Sequence, residues 1–258
     1  MINVAMKNVS ILGCGWLGKP LAVSLLEEGF FVKGSSTSEE KLPALESLGI
    51  ESYLVDITDL EEFDTFLTTD ILIIAITSKD IDAFKSFIEQ IEVSTIQKVI
   101  FISSTSVYPN TNSVVSEENK TLPTPLSEIE NLFRSNTYFE TTIVRFAGLF
   151  GPQRHPGNWF KNGRIIPQPN GYVNMIHQED CIEIIHEIIN QNCWNITLNA
   201  CSNDHPTRKD FYTNARRSLN LDTPVFEETA ELQYKIISSQ KLQEVLSYEF
   251  IHDSLLDI

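Results

Sequence analysis

The chain has 258 residues, which at roughly 150 residues per domain suits one large fold with an appendage. Its 19 Lys and Arg against 35 Asp and Glu leave a formal charge of −16. That field repels polyanions and argues against nucleic acid as a partner, while a local pocket of Arg, His and backbone N–H groups can still take a small anion. A hydrophobic fraction of 42% with 21% charged residues excludes a disordered chain.

Cys14, Cys181, Cys193 and Cys201 are too few for a disulfide scaffold and form no CxxC pair, so reduced thiols in a cytoplasmic protein are expected. The apolar run over 11–26, preceded by Lys7, has the outline of a signal peptide. Gly13, Gly15, Gly18 and Pro20 break it, and no other segment approaches the roughly 18 apolar residues of a membrane span. A soluble chain without a membrane partner is expected, with no metal site.

Strand-length apolar runs alternate with segments of helical period, as a βαβ series requires. The pattern predicts a strand over 8–12, a helix over 16–28 closed by Gly29, a strand over 30–33 and a polar turn over 34–38. A short helix ends before Gly49; then come strand 51–55, helix 60–67, strand 71–76, helix 81–91 and strand 98–102. The run over 71–76 is apolar without alternation, which suits a parallel sheet buried on both faces. A long polar stretch runs to Pro123. Thr124 is the expected N-cap of a further helix, with Pro125 at its first position. A strand over 141–146 precedes an irregular segment, 147–171, with five glycines and four prolines, too long for a plain connector. Helix 179–189, strand 196–200, helix 208–219 and mixed segments follow. The expected fold class is α/β, a doubly wound parallel Rossmann-type sheet with a small C-terminal cap.

Gly13-Cys-Gly15-Trp-Leu-Gly18 follows a predicted strand and opens a predicted helix, the context that gives GxGxxG its meaning. Gly13 permits the tight turn, Gly15 lets the backbone approach a pyrophosphate, and Gly18 lets helix and strand pack closely. With Trp16 and Leu17 these residues form the expected dinucleotide-binding turn, the other reading being a merely tight β-to-α turn. An acid about 20 residues past the first glycine would grip a ribose 2′-OH. Lys33-Gly-Ser-Ser-Thr-Ser38 has none, whereas Lys33, Ser35, Ser36, Thr37, Ser38 and Lys41 could donate to a 2′-phosphate. NADP is therefore preferred over NAD, although the same hydroxyls could simply turn the chain and cap a helix near Glu39. Asp56 suits either the adenine face or a turn cap.

Ser103-Ser-Thr-Ser-Val-Tyr108-Pro resembles the Ser-Ser-x-x-Val-Tyr-Gly segment of the extended short-chain dehydrogenases/reductases, the nucleotide-sugar epimerase and dehydratase group. Val144-Arg-Phe-Ala-Gly-Leu-Phe-Gly-Pro152 and Val173-Asn-Met-Ile-His-Gln-Glu-Asp180 resemble two further segments of that family, so that the likeness spans nearly the whole chain. The GxGWLG, RHPG and VYG-like segments are similar to those of a small bacterial subgroup. The resemblance implies that Ser103 and the Ala75, Ile76 and Thr77 segment line a cofactor. It implies further that Ala147, Gly148 and Leu149 pass near the nicotinamide and that Ser104 hydrogen-bonds the reacting oxygen. A turn hydroxyl is the alternative for Ser104.

The family's Tyr-x-x-x-Lys pair is missing. Position i+4 after each tyrosine holds Ile57, Asn112, Thr142, Ile176, Arg216, Ser238 or His252. A phenol of pKa near 10 is a poor base at neutral pH without such help. Tyr108 is the substitute the resemblance places near the nicotinamide, though tyrosines at that position often only pack. His177 titrates near neutrality but precedes a helix, a common structural place, and Glu117 and Glu118 are expected in a solvated loop. Arg154-His155-Pro-Gly157, with Asn158, Trp159 and Arg164 following, offers donors and an aromatic for an anion, or else a surface loop braced by salt bridges.

These residues together predict a dinucleotide-binding region over 1–150 and 172–200 and a substrate or cap region over 151–171 and 201–258. The expected partners are a small anionic or polar substrate, with a nucleotide sugar as one option, and, as another option, a second copy in a homodimer. An oxidoreductase or epimerase-like enzyme is the first expectation, and a non-catalytic binder that senses the dinucleotide is the rival.

Overall fold

The computed structural model describes residues 8–59, 64–160, 163–228 and 231–257. In chain order its elements are β1 (Asn8–Leu12), α1 (Gly18–Glu27), β2 (Phe31–Ser36), α2 (Leu42–Glu46), β3 (Glu51–Leu54), β4 (Ile71–Ile74), α3 (Ile81–Glu92) and β5 (Lys98–Ser104). They continue with β6 (Val114–Val115), α4 (Pro125–Ser135), β7 (Glu140–Phe146), β8 (Gly148–Phe150), β9 (Met175–His177), α5 (Gln178–Asn190), β10 (Thr197–Ala200), α6 (Arg208–Ser218), β11 (Ile236–Ile237) and α7 (Gln240–Leu246). Seven strands form a parallel sheet in the order β10-β7-β5-β4-β1-β2-β3, the doubly wound arrangement expected from the alternating pattern.

Contacts divide the chain into two compact units, the described residues of 1–103, 123–144 and 185–197, and those of 104–122, 145–184 and 198–257. In the first unit all four residues of β4 are buried, which is why its sequence shows no alternation. Its core joins strand to helix through aromatic rings: Phe101 stacks on Phe133 with centroids 4.9 Å apart, and Phe84 meets both edge-on. Asp80 caps α3 by accepting from the Asp82 and Ala83 amides, and Thr124 and Ser127 form a capping box at the start of α4 behind Pro125. In the second unit a smaller core gathers Phe150, Val173, Met175, Phe211 and Leu255, and β8 pairs with β9 in parallel.

Three expectations change. The predicted helix over 60–67 lies partly outside the described residues, at 60–63, and Asp64–Leu67 form turns. Carbonyls at the end of this segment accept from side chains of neighbouring strands: Ser10 Oγ donates to Phe66 O at 2.7 Å and Lys33 Nζ to Thr68 O at 2.9 Å. The second strand extends through Ser36, so the polar turn expected from residue 34 begins only after it. Gly34 is there for space, since a Cβ would stand 2.6 Å from Cys14 Sγ. The polar stretch before Pro123 contributes β6, which pairs with β11 where Ile236 faces Val114.

Candidate functional site

In the first unit the glycine turn assigns each glycine a different task. Gly13 has φ +97°, and a Cβ on it would lie 2.6 Å from Ile76 Cγ2 and 3.0 Å from Ala75 O. Gly18 is the close-packing position, where a Cβ would come within 2.2 Å of Gly13 O. A Cβ on exposed Gly15 would meet nothing within 4 Å, so its side of the turn is open. Ser35 supports the turn from β2: its Oγ accepts from the Gly13 amide at 3.0 Å and its carbonyl from the Cys14 amide at 2.7 Å. Those two amides are thereby committed to Ser35, which leaves the stretch from Gly15 into the first turn of α1 as the part of the turn suited to an anion. No side chain caps that helix at Leu17, an end suited to an external anion.

The same unit brings Ala75 and Ile76 against Gly13, with Thr77 exposed beyond them. It removes Lys33 from the expected set of 2′-phosphate donors, because the ammonium is spent on the carbonyls of Thr65 and Thr68 and the residue is 7% exposed. Ser35 is equally committed to the turn. Ser36 Oγ accepts from the Ser38 amide at 3.1 Å, and Ser38 Oγ donates to Glu40 at 3.0 Å, leaving Ser36 and Thr37 as the hydroxyls nearest the end of β2. Asp56 takes the turn-cap form: Oδ1 accepts from both the amide and the hydroxyl of Thr58, which hold the carboxyl below its usual range. Ser103 is buried and points inward, its hydroxyl donating to Glu130 at 2.6 Å.

In the second unit Ser104 Oγ accepts from the Ser106 amide at 3.1 Å, the turn-hydroxyl arrangement, and keeps its own proton to donate. Tyr108 is 1% exposed. Its hydroxyl donates to Asn199 Oδ1 at 2.9 Å and accepts from Arg145, whose guanidinium lies 4.9 Å from the ring centroid. Burial raises the phenol's pKa against the lowering effect of Arg145. A buried hydroxyl already paired with Asn199 and Arg145 is the arrangement of the packing alternative for Tyr108. Glu117 and Glu118 lie in a turn as expected, Glu118 exposed, but half-buried Glu117 also accepts from the Asn199 amide at 2.6 Å. Lys235, which no sequence spacing pointed to, donates to Tyr108 O at 2.6 Å across 127 residues, and burial lowers its pKa. Ala147 is buried with its amide on Ala200 O, whereas Gly148 is exposed at the start of β8 and Leu149 is half-buried within it.

The segment after β8 is largely architectural. His155 Nδ1 accepts from the Gly157 amide at 3.1 Å and Nε2 meets Ser218 Oγ at 3.4 Å, so the expected anion donor is a cap instead. A Cβ on Gly157 would lie 2.3 Å from Ala215 O, so this glycine allows the segment to pack on α6. Arg154 and Asn158 are exposed, and the Arg164 guanidinium lies 5.5 Å from the Phe160 centroid. His177 ends β9 with its ring 3.7 Å from that of His252; burial first and His252 next lower its pKa, opposed by Asp180 and Glu179. Among the described residues no helix is long and apolar enough to cross a membrane.

A parallel seven-strand sheet whose first strand runs through a glycine turn into a helix defines a Rossmann-type protein. Solved structures share this fold over almost the entire chain. A putative NAD-dependent epimerase/dehydratase from Methylobacillus flagellatus has a TM-score of 0.83 at 22% identity, covering 98% of this chain and 96% of that one. A functionally unknown conserved protein from Silicibacter pomeroyi DSS has 0.83 at 19%, with the same coverage. UDP-glucuronic acid 4-epimerase from Bacillus cereus, in complex with NAD, has 0.79 at 18%, covering 97% and 95%. No family model matches the chain. Protein YeeZ of Escherichia coli K12 is 32% identical over 264 residues, covering 95% of this chain and 96% of YeeZ. The chain belongs to the YeeZ family.

Proposed function

We propose that this protein binds a nicotinamide dinucleotide and is an epimerase-like oxidoreductase of the extended short-chain dehydrogenase/reductase type, within the small bacterial subgroup marked by GxGWLG and RHPG. Its substrate is a small polar, anionic molecule of the nucleotide-sugar class. The observation that carries this is the open side of Gly15 between two glycines that packing requires, beside an uncapped helix N-terminus. That geometry fits a pyrophosphate held by backbone amides. The fold shared with UDP-sugar epimerases supports the substrate class.

When bound, the nicotinamide supplies hydride transfer. The chain's own residues hold and orient. The start of α1 binds the phosphates, Ser36 and Thr37 favour NADP over NAD at the ribose, and the Ser104 O–H donates to the reacting oxygen. Arg154, exposed beyond β8, offers its guanidinium to an anionic group of the substrate. The second reading, a dinucleotide sensor without turnover, is favoured by two observations: α4 contains neither tyrosine nor lysine, and the Tyr108 hydroxyl is buried and paired with Asn199.

Calorimetric titration with NADP and NAD tests the binding step. Saturable binding in the wild type is expected, and its absence for both dinucleotides overturns the proposal. Nicotinamide absorbance followed with a panel of carbonyl compounds and nucleotide sugars then separates enzyme from sensor.

A further inference from the structure

The structure assigns a metal-ion site to His177, Glu179 and His252 in the second unit, suited to a borderline divalent ion such as zinc. One ligand atom from each residue lies within 4.8 Å of the others. His252 Nε2 stands 2.7 Å from Glu179 Oε2, and the two imidazole rings face each other at 3.7 Å between centroids and 42° between planes. Two imidazoles and one carboxylate are the ligand types zinc and its neighbours prefer, whereas calcium and magnesium select all-oxygen sets. Three protein ligands also leave coordination positions for water.

The residues are held in place by a group that is not itself a ligand. Asp180 is fully buried and accepts from the Tyr248 hydroxyl at 2.8 Å, the Ile251 amide at 2.7 Å and the His252 amide at 3.1 Å. Glu179 precedes it in the first turn of α5, so this one carboxylate fixes the backbone of both Glu179 and His252. Gly151 makes room for the third member: with φ +144°, a Cβ there would crowd His177 Nε2 at 3.1 Å. The Phe150 edge supports the same ring at 5.1 Å. Tetrahedral ligands about 2.0–2.2 Å from zinc stand roughly 3.4 Å apart, so the 2.7 Å contact between Glu179 and His252 must open while the set as a whole, spread within 4.8 Å, draws in around the ion. The Glu179 side chain, 57% exposed, can swing from its contact with His252 to close the set. A chain charge of −16 further concentrates cations at its surface.

The test titrates Co²⁺ and Zn²⁺ into the full chain after chelator treatment. One Co²⁺ per chain is expected, with visible d–d absorption that Zn²⁺ displaces, and the thermal midpoint is expected to rise with added Zn²⁺. His252→Ala and Glu179→Gln should each weaken binding at least tenfold. Neither change touches the Asp180 clamp, which holds the His252 backbone, so both variants should keep the wild-type circular dichroism spectrum. His205→Ala, which removes an imidazole outside the set, should bind as the wild type does. Absence of saturable Co²⁺ binding, tighter binding of Mg²⁺ than of Zn²⁺, or unchanged affinity in folded His252→Ala each overturns the assignment.

Discussion

Ser103 Oγ donates to Glu130 Oε1 at 2.6 Å, tying the end of β5 to a carboxylate that is itself 1% exposed. Arg134 Nη2 reaches the other oxygen at 3.3 Å from the next turn of α4. The helix that in the resembling enzymes carries Tyr and Lys here carries a buried carboxylate turned toward the sheet. Removing the hydroxyl in Ser103→Ala leaves that carboxylate short of a donor, at a cost of about 1–3 kcal/mol. Glu130→Ala should cost more, since a buried pair is broken, although the exposed side of Arg134 limits the loss. Urea unfolding measures both; midpoints equal to wild type would mean that the pair does not hold α4 to β5.

Gly15 and Gly18 should separate binding from folding. Gly15→Val places its branches in open space and should fold normally while losing NADP and NAD affinity, read by calorimetry. Gly18→Ala collides with Gly13 O and should lose about 1–3 kcal/mol of stability. Unchanged affinity in folded Gly15→Val would remove the pyrophosphate from this turn.

NADP should bind more tightly than NAD, by no more than about tenfold or 1.4 kcal/mol, because Lys33 and Ser35 are committed elsewhere. Ser36→Asp keeps an acceptor for the Ser38 amide, adds a charge that repels a 2′-phosphate, and should reverse the order. A ratio of dissociation constants unmoved by Ser36→Asp would place the ribose away from the end of β2.

His155→Ala removes the acceptor for the Gly157 amide and should cost about 1 kcal/mol, with dinucleotide affinity unchanged. A loss of NADP binding in His155→Ala, at full folding, would show that the capping role is incomplete.

Acid should destabilise the fold partly through His205. Burial lowers its pKa, against the raising effects of the Val173 carbonyl, Asp204 and Asp253, so the neutral ring is the form the native state prefers. The unfolded chain takes up the proton first, near the ordinary value of about 6.5. The stabilisation is therefore complete above that pH and is lost as pH falls through the lower folded value. Denaturation midpoints between neutral pH and mild acid should fall less steeply in His205→Asn, and identical slopes would assign the acid sensitivity to other groups.

The alternating elements, the parallel sheet and the separate tasks of Gly13, Gly15 and Gly18 are legible in the sequence. Each of these is set within a few residues, by side-chain period, by cap chemistry at Asp80 and Thr124, or by the absence of a Cβ. Which polar groups are spent on the fold is settled by long-range packing. Lys33 and Ser36 are near in sequence, yet the ammonium turns to the carbonyls of Thr65 and Thr68 while the serine stays by the end of β2. Tyr108 finds Asn199 across 91 residues and Glu179 finds His252 across 73. Buried or half-buried polar atoms must be paired, and partners so distant are chosen by packing, which leaves no local periodicity to read.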